Sequence, residues 1–376
     1  MSLSNKLNSE KILQSNKLNV NSFNPFLCVS ELQFPVGEES DKGEELVNKI
    51  PVFGSNLGLK FFGSVLNKNG EIVLLPSNEE RFYIYNPKSD SGRYVGEYLR
   101  RDGGYDLWWG GVMGYDGLIY LSPHNSPYIV VFNPNTYEIE YLDLPENLTS
   151  SSPPQYFASG SVVPDGRIYL TPYNSEFIVE INNKRVRSVG NQILGNNKYS
   201  GMCYSTRKDT LLLISCSADQ FGEYEYKTET FNLVGPVSVS PFKFCGCVYV
   251  ENEGMIGIPL FEPNVIKFDE VAGTVSTTST GALNIGWGGG VQAVDGLIYC
   301  PPFYSDRWLL IEPQTLTLLP RPVNYLLNGS FYQGAVNGAD GQIYATPSRA
   351  LYIKKIKTNP PFLQLGEVLN VMINKR

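Results

Sequence analysis

Histidine is almost absent: His124 is the only one in 376 residues. A metal centre built on several imidazoles is therefore excluded, as is any catalytic scheme that needs two histidines. Charge is also sparse, at 18%, and no run of Lys or Arg exceeds a short pair. With a formal net charge of −7, this argues against a nucleic-acid partner or an anionic membrane surface. No apolar stretch reaches the about 18 residues of a membrane-spanning helix, so no membrane insertion is expected. The first 25 residues, MSLSNKLNSEKILQSNKLNVNSFNP, lack the apolar core of a secretory leader, and synthesis in a cytoplasm is expected. The six cysteines (Cys28, Cys203, Cys216, Cys245, Cys247, Cys300) contain no CxxC pair, so reduced, buried thiols are expected.

What the chain does have is 36 Gly, 25 Pro, 24 Tyr and 19 Phe, the composition of many short strands and turns. A repeat organises them. Asp116-Gly-Leu-Ile-Tyr is echoed by Asp165-Gly-Arg-Ile-Tyr, Asp295-Gly-Leu-Ile-Tyr and Asp340-Gly-Gln-Ile-Tyr. Weaker copies are Asn69-Gly-Glu-Ile-Val, Asp209-Thr-Leu-Leu-Leu and Glu253-Gly-Met-Ile-Gly. Their second residues fall at 70, 117, 166, 210, 254, 296 and 341, a spacing of 42 to 49 residues. That period is the size of a propeller blade. Asp-Gly between β-rich runs is a hairpin signal, because those residues tolerate positive φ. The four turn aspartates (Asp116, Asp165, Asp295, Asp340) need no metal to explain them.

Each unit reads as four strands. The expected fold is all-β: a seven-bladed β-propeller of four-stranded antiparallel blades, with an N-terminal extended or partly helical arm. The division expected is residues 1–50 as arm and acidic linker and 51–376 as propeller. Its units lie near 52–99, 100–147, 148–190, 191–236, 237–277, 278–322 and 323–370. Whether an early strand such as Val52-Phe-Gly completes the last blade stays open. The units resemble the DG-x-IY repeats of NHL-, YVTN- and gluconolactonase-like propellers. That resemblance implies a fold shared by enzymes, lectins and scaffolds, so it names no single function. The gluconolactonase-like members hold a divalent metal through carboxylate and Asn ligands, and that set does not map onto this chain.

Outside the repeat, Ser4-Asn-Lys-Leu-Asn recurs as Ser15-Asn-Lys-Leu-Asn. The eleven-residue step would place Leu7 and Leu18 on one helical face. With Phe23 and Phe26 they are the candidate anchors by which the arm would hold protein partners in a larger assembly. Within the repeat, an aromatic precedes the first strand's glycine in each unit: Phe62, Trp109, Phe157, Tyr199, Phe244, Trp287 and Tyr332. Repetition favours a structural wedge between blades; an aromatic channel mouth is the rival. The candidate ligand or partner residues are Trp108, Trp109, Tyr105, His124, Tyr156, Trp287, Tyr304 and Tyr332. Within the WWGG stretch, Trp109 is assigned to the recurrent position and Trp108 to the blade's own chemistry.

The reading that follows is a non-enzymatic recognition or assembly protein, a propeller held by its arm, such as a virion structural component. One alternative is a carbohydrate-binding propeller with a glycan at the loop face. The other is a metal-dependent hydrolase or lyase of the gluconolactonase-like kind. No catalytic residue, metal or cofactor is expected.

Overall fold

The computed structural model describes residues 44–50, 59–102, 104–149, 155–281, 286–305, 307–322 and 331–358. They form seven four-stranded sheets, all with antiparallel neighbours. The fold class is the one expected. Blade two is typical: Trp108–Met113, Ile119–Pro123, Tyr128–Phe132 and Ile139–Asp143 follow one another outward from the channel. Among the described residues the one helix is the single turn Glu146–Thr149.

The repeat motif has a physical role at each of its residues. The turn glycine takes positive φ, as Gly117 does at 76°. The turn aspartate accepts the backbone N–H two residues on, as Asp116 Oδ1 does from Leu118 at 3.0 Å. Its second oxygen accepts the Tyr hydroxyl: Tyr120 to Asp116 at 2.7 Å, Tyr299 to Asp295 at 2.7 Å and Tyr344 to Asp340 at 2.8 Å. Ile119, Ile298 and Ile343 are fully buried. In blade three, Arg167 occupies Asp165, and Tyr169 donates to Glu180 instead.

The hydrophobic cores lie between blades. Phe82 of blade one stacks on Phe132 of blade two at 3.8 Å, in a cluster that also holds Trp108, Ile119 and Val130. Around the channel the first strands approach to backbone contact, which only glycine permits. A Cβ on Gly201 would stand 2.8 Å from the Cα of Gly246, and one on Gly334 3.0 Å from the Cα of Gly63. The Gly334–Gly63 approach brings blade seven against blade one.

Closure places a strand where a linker was expected. Glu44–Lys49 is the outermost strand of blade seven, beside Tyr352–Ile356, with Glu44 opposite Ile356 and Lys49 opposite Tyr352. The propeller therefore begins inside the segment assigned to arm and acidic linker. An edge strand exposes one flank to water, so acidic residues suit it as well as they suit a linker. Val52-Phe-Gly and the arm residues Leu7, Leu18, Phe23 and Phe26 lie outside the described residues.

Candidate functional site

The end of strand two and the start of strand one meet on one face of the ring. The seven recurrent aromatics are identified there by register. Phe61 pairs with Pro76, Trp108 with Pro123, Phe157 with Pro172 and Tyr199 with Ser215. Phe244 pairs with Pro259, Trp287 with Pro302 and Tyr332 with Pro347. All seven are at most 4% exposed, as wedges between blades should be. The wedge in the first two blades is thus Phe61 and Trp108, not Phe62 and Trp109. Trp108 is spent on structure: its Nε1 donates to the Tyr128 carbonyl at 3.1 Å. Trp287 does the same to the Arg307 carbonyl at 2.8 Å.

The residue after each wedge belongs to the inner edge of its blade: Phe62, Trp109, Ala158, Ser200, Cys245, Gly288 and Gln333. Gln333 donates from Nε2 to Cys245 Sγ at 3.0 Å, reaching past Gly288 of the intervening blade. Phe62 and Trp109 are partly exposed and stack at 5.3 Å with their planes 14° apart. On its other side Trp109 stacks on His124, centroids 3.5 Å apart and planes 9° apart. Tyr173 closes the group edge-on to Trp109 at 5.4 Å.

His124 follows the last residue of strand two, and its repeat equivalents are Ser77, Tyr173, Cys216, Leu260, Phe303 and Ser348. The backbone there links blade to blade. Tyr156 N–H donates to the His124 carbonyl at 2.8 Å, Lys198 N–H to that of Tyr173 at 2.8 Å, and Lys60 N–H to that of Ser348 at 2.8 Å. The His124 ring is fixed by Nδ1, 3.1 Å from the Phe157 carbonyl, which makes Nδ1 the protonated nitrogen. Nε2 then carries the lone pair, buried and without a partner. Burial lowers the imidazole pKa to about 3, so the ring is neutral.

Nε2 is not alone in this. Ser348 Oγ, Ser77 Oγ, Trp109 Nε1 and Thr171 Oγ1 are also buried without a hydrogen-bond partner. These five atoms lie on the consecutive blades seven, one, two and three; Asn337 Oδ1 on blade seven, Tyr224 Oη on blade four and Trp308 Nε1 on blade six are buried without a partner as well. At the repeat position of His124 the opposite arc carries Cys216, Leu260 and Phe303. Burial raises the Cys216 pKa to about 11, so that thiol stays protonated. Cys203 and Cys300 are likewise buried with raised pKa values.

The other candidates disperse. Tyr156 is buried beside Phe157. Tyr332 is buried under the Lys354 ammonium. Tyr105 is 60% exposed on the loop before blade two, where its carbonyl accepts from Asn125. Tyr304 is 51% exposed in blade six. Tyr156 meets His124 through the backbone alone, and Trp109 and His124 are brought together by their rings. The sequence reading missed Phe62 and Tyr173 as their neighbours. It also missed Lys60, Lys198 and Lys243, which all stand one residue before a wedge aromatic. Their ammonium groups hold loop carbonyls: Lys198 that of Gly195 at 2.9 Å, Lys243 those of Ala218, Ser238 and Ser240 at 2.7–3.0 Å. Aligning the blades on the wedge position would have revealed those lysines.

Among the described residues no group of three or more His, Cys, Asp or Glu is placed to hold a metal ion, and no helix is long and apolar enough to cross a membrane. No family model and no curated protein matches the chain. Solved structures do match. Virginiamycin B lyase from Staphylococcus aureus superposes with a TM-score of 0.67 at 11% identity, covering 84% of this chain and 99% of that one. A streptogramin B lyase gives 0.68 at 12% identity, with coverage of 84% and 98%. A catalytically inactive histidine-to-alanine variant of the Staphylococcus aureus lyase, solved with Quinupristin, gives 0.68 at 12%, with 84% and 100% covered. The expectation of a non-enzymatic recognition or assembly protein is corrected by these three matches, which are lyases. They lend nothing to a virion role or to glycan binding. At 11–12% identity the likeness carries the fold and not the activity. What the comparisons establish is a seven-bladed β-propeller similar in architecture to the virginiamycin B lyases.

Proposed function

We propose that this chain binds a small organic molecule in the channel, on the arc of blades seven, one, two and three, with the Phe62–Trp109–His124 stack as its platform. The observation that carries the reading is the set of five buried polar atoms without partners on that arc. Each such atom costs about 1–3 kcal/mol when left unpaired. A ligand that accepts from Trp109 Nε1 and donates to His124 Nε2 removes two of those costs at once. The neutral imidazole and the uncharged wall favour a ligand without formal charge at that point.

Lyase chemistry is a second reading, favoured by the Nε2 lone pair of the chain's sole histidine standing at the channel. Nε2 would remove a proton from the bound molecule. Burial opposes that step, because the imidazolium it forms is strongly disfavoured with a pKa near 3. Binding is therefore placed first. Incubation with Quinupristin, read by mass spectrometry, addresses the second reading: conversion by the native chain that vanishes in His124→Ala supports it, and no conversion counts against it.

The binding reading is tested by screening neutral small molecules for quenching of tryptophan fluorescence. Trp108, Trp287 and Trp308 are at most 1% exposed, so the accessible signal belongs to Trp109. Compounds that quench the native chain and not Trp109→Phe support the proposal. Compounds that bind both alike place the ligand elsewhere.

A further inference from the structure

On the same face, across the channel from Trp109, four aromatic rings from blades five to seven form a connected surface cluster. Phe261 and Tyr304 stack at 5.7 Å with planes 18° apart. Phe303 meets Tyr304 edge-on at 4.4 Å, and Phe331 meets both at 5.6 and 5.7 Å. Phe261 is 49% exposed and Tyr304 51%. Aromatic area left in water on this scale forgoes about 25 cal/mol for each Å² that a partner would cover. The backbone holds the rings in place: the N–H groups of Phe303, Tyr304 and Ser305 all converge on the Gly286 carbonyl at 3.0–3.1 Å. A Cβ on Gly286 would stand 2.8 Å from the Cβ of Tyr304, so the loop closes here on glycine alone.

A second, independent feature stands at the edge of the cluster. The exposed Arg349 holds its guanidinium 4.9 Å over the Phe331 ring and has no carboxylate partner among the described residues. In a chain with more acidic than basic side chains, this guanidinium is parked on an aromatic face with no carboxylate within ion-pair distance among the described residues. Its planar fork matches a carboxylate bidentately. The rings beside it offer flat apolar faces.

The geometry points to a second ligand site here, distinct from the channel and specific for a small aryl carboxylate. The carboxylate pairs with Arg349, and the ring lies against Phe331 and Tyr304. A neutral sugar finds one phenol and one guanidinium here, too few polar groups for its hydroxyls.

Calorimetric titration of the full chain with benzoate, benzamide and acetate tests this. Benzoate binds saturably, and more tightly than benzamide or acetate. Arg349→Gln weakens benzoate about tenfold, the loss of one charge-assisted pair, and leaves benzamide unchanged. Tyr304→Ala weakens both aromatic probes, and Trp109→Phe affects neither. Both Arg349 and the Tyr304 ring are exposed, so these variants keep the fold. The proposal is overturned if benzoate gives no saturable heat, if Arg349→Gln binds it undiminished, or if Trp109→Phe abolishes it, since that outcome puts the probe in the channel.

Discussion

Trp108 and Trp109 are neighbours with opposite roles. Trp108 is fully buried, with its N–H bonded, in the core between blades one and two; Trp109 is partly exposed, with its N–H free. Trp108→Ala is expected to cost about 3–5 kcal/mol in denaturant unfolding, the range for an aromatic removed from a core. Trp109→Phe keeps a stacking ring and removes an unpaired donor, so its stability should stay within about 1 kcal/mol of the native chain. Equal losses in the two variants would contradict this division. The sequence could not make it, because Phe61-Phe62 and Trp108-Trp109 each put two aromatics before the glycine. A bulge between Trp108 and Gly111 breaks the two-residue alternation that would show which one faces inward.

His124 gives a residue-scale prediction in pH. Its folded pKa lies near 3, below the about 6.5 of an unfolded histidine. The unfolded chain therefore binds the extra proton first as pH falls. The stability due to the neutral buried ring is complete above about pH 6.5 and is lost toward pH 3, at up to about 1.4 kcal/mol per unit. His124→Phe should flatten that part of the unfolding profile between pH 6.5 and 4. An unchanged slope would show that the acid sensitivity comes from carboxylates instead.

At the scale of elements, the DG-x-IY units were readable because each residue's role is local: a positive-φ glycine, an aspartate closing its own turn, a tyrosine reaching back four residues. The closing strand was not, because Glu44–Lys49 pairs with a segment some 300 residues away and its acidic start suits water equally well. The ring's closure then depends on that pairing. Removing residues 1–49 leaves Tyr352–Ile356 as an open edge and should lower the thermal midpoint by several degrees and promote association. Circular-dichroism melting and size-exclusion chromatography read both, and an unchanged midpoint would show that blade seven is stable with three strands.

At the scale of the whole molecule, the seven blades are alike in grammar and unlike in what they present on the face that carries the wedges. Six of the eight buried polar atoms without partners among the described residues lie on blades seven, one, two and three, the other two being Tyr224 Oη on blade four and Trp308 Nε1 on blade six, and aromatic surface gathers on blades five to seven. A repeat supplies the frame seven times over, so residues that depart from it on the loop face are the candidates for recognition. The sequence displayed the repeat and concealed the arc, because its residues stand about 47 apart on blades one to three and only ring closure brings Ser348 beside Ser77. The central claim is that the channel ligand contacts Trp109. The direct measurement is a proton–nitrogen NMR spectrum of the four tryptophan indole N–H groups during titration with a compound that quenches fluorescence. The account predicts that the Trp109 resonance alone moves, while those of Trp108, Trp287 and Trp308 stay in place. Movement of the buried three with Trp109 unmoved would contradict it.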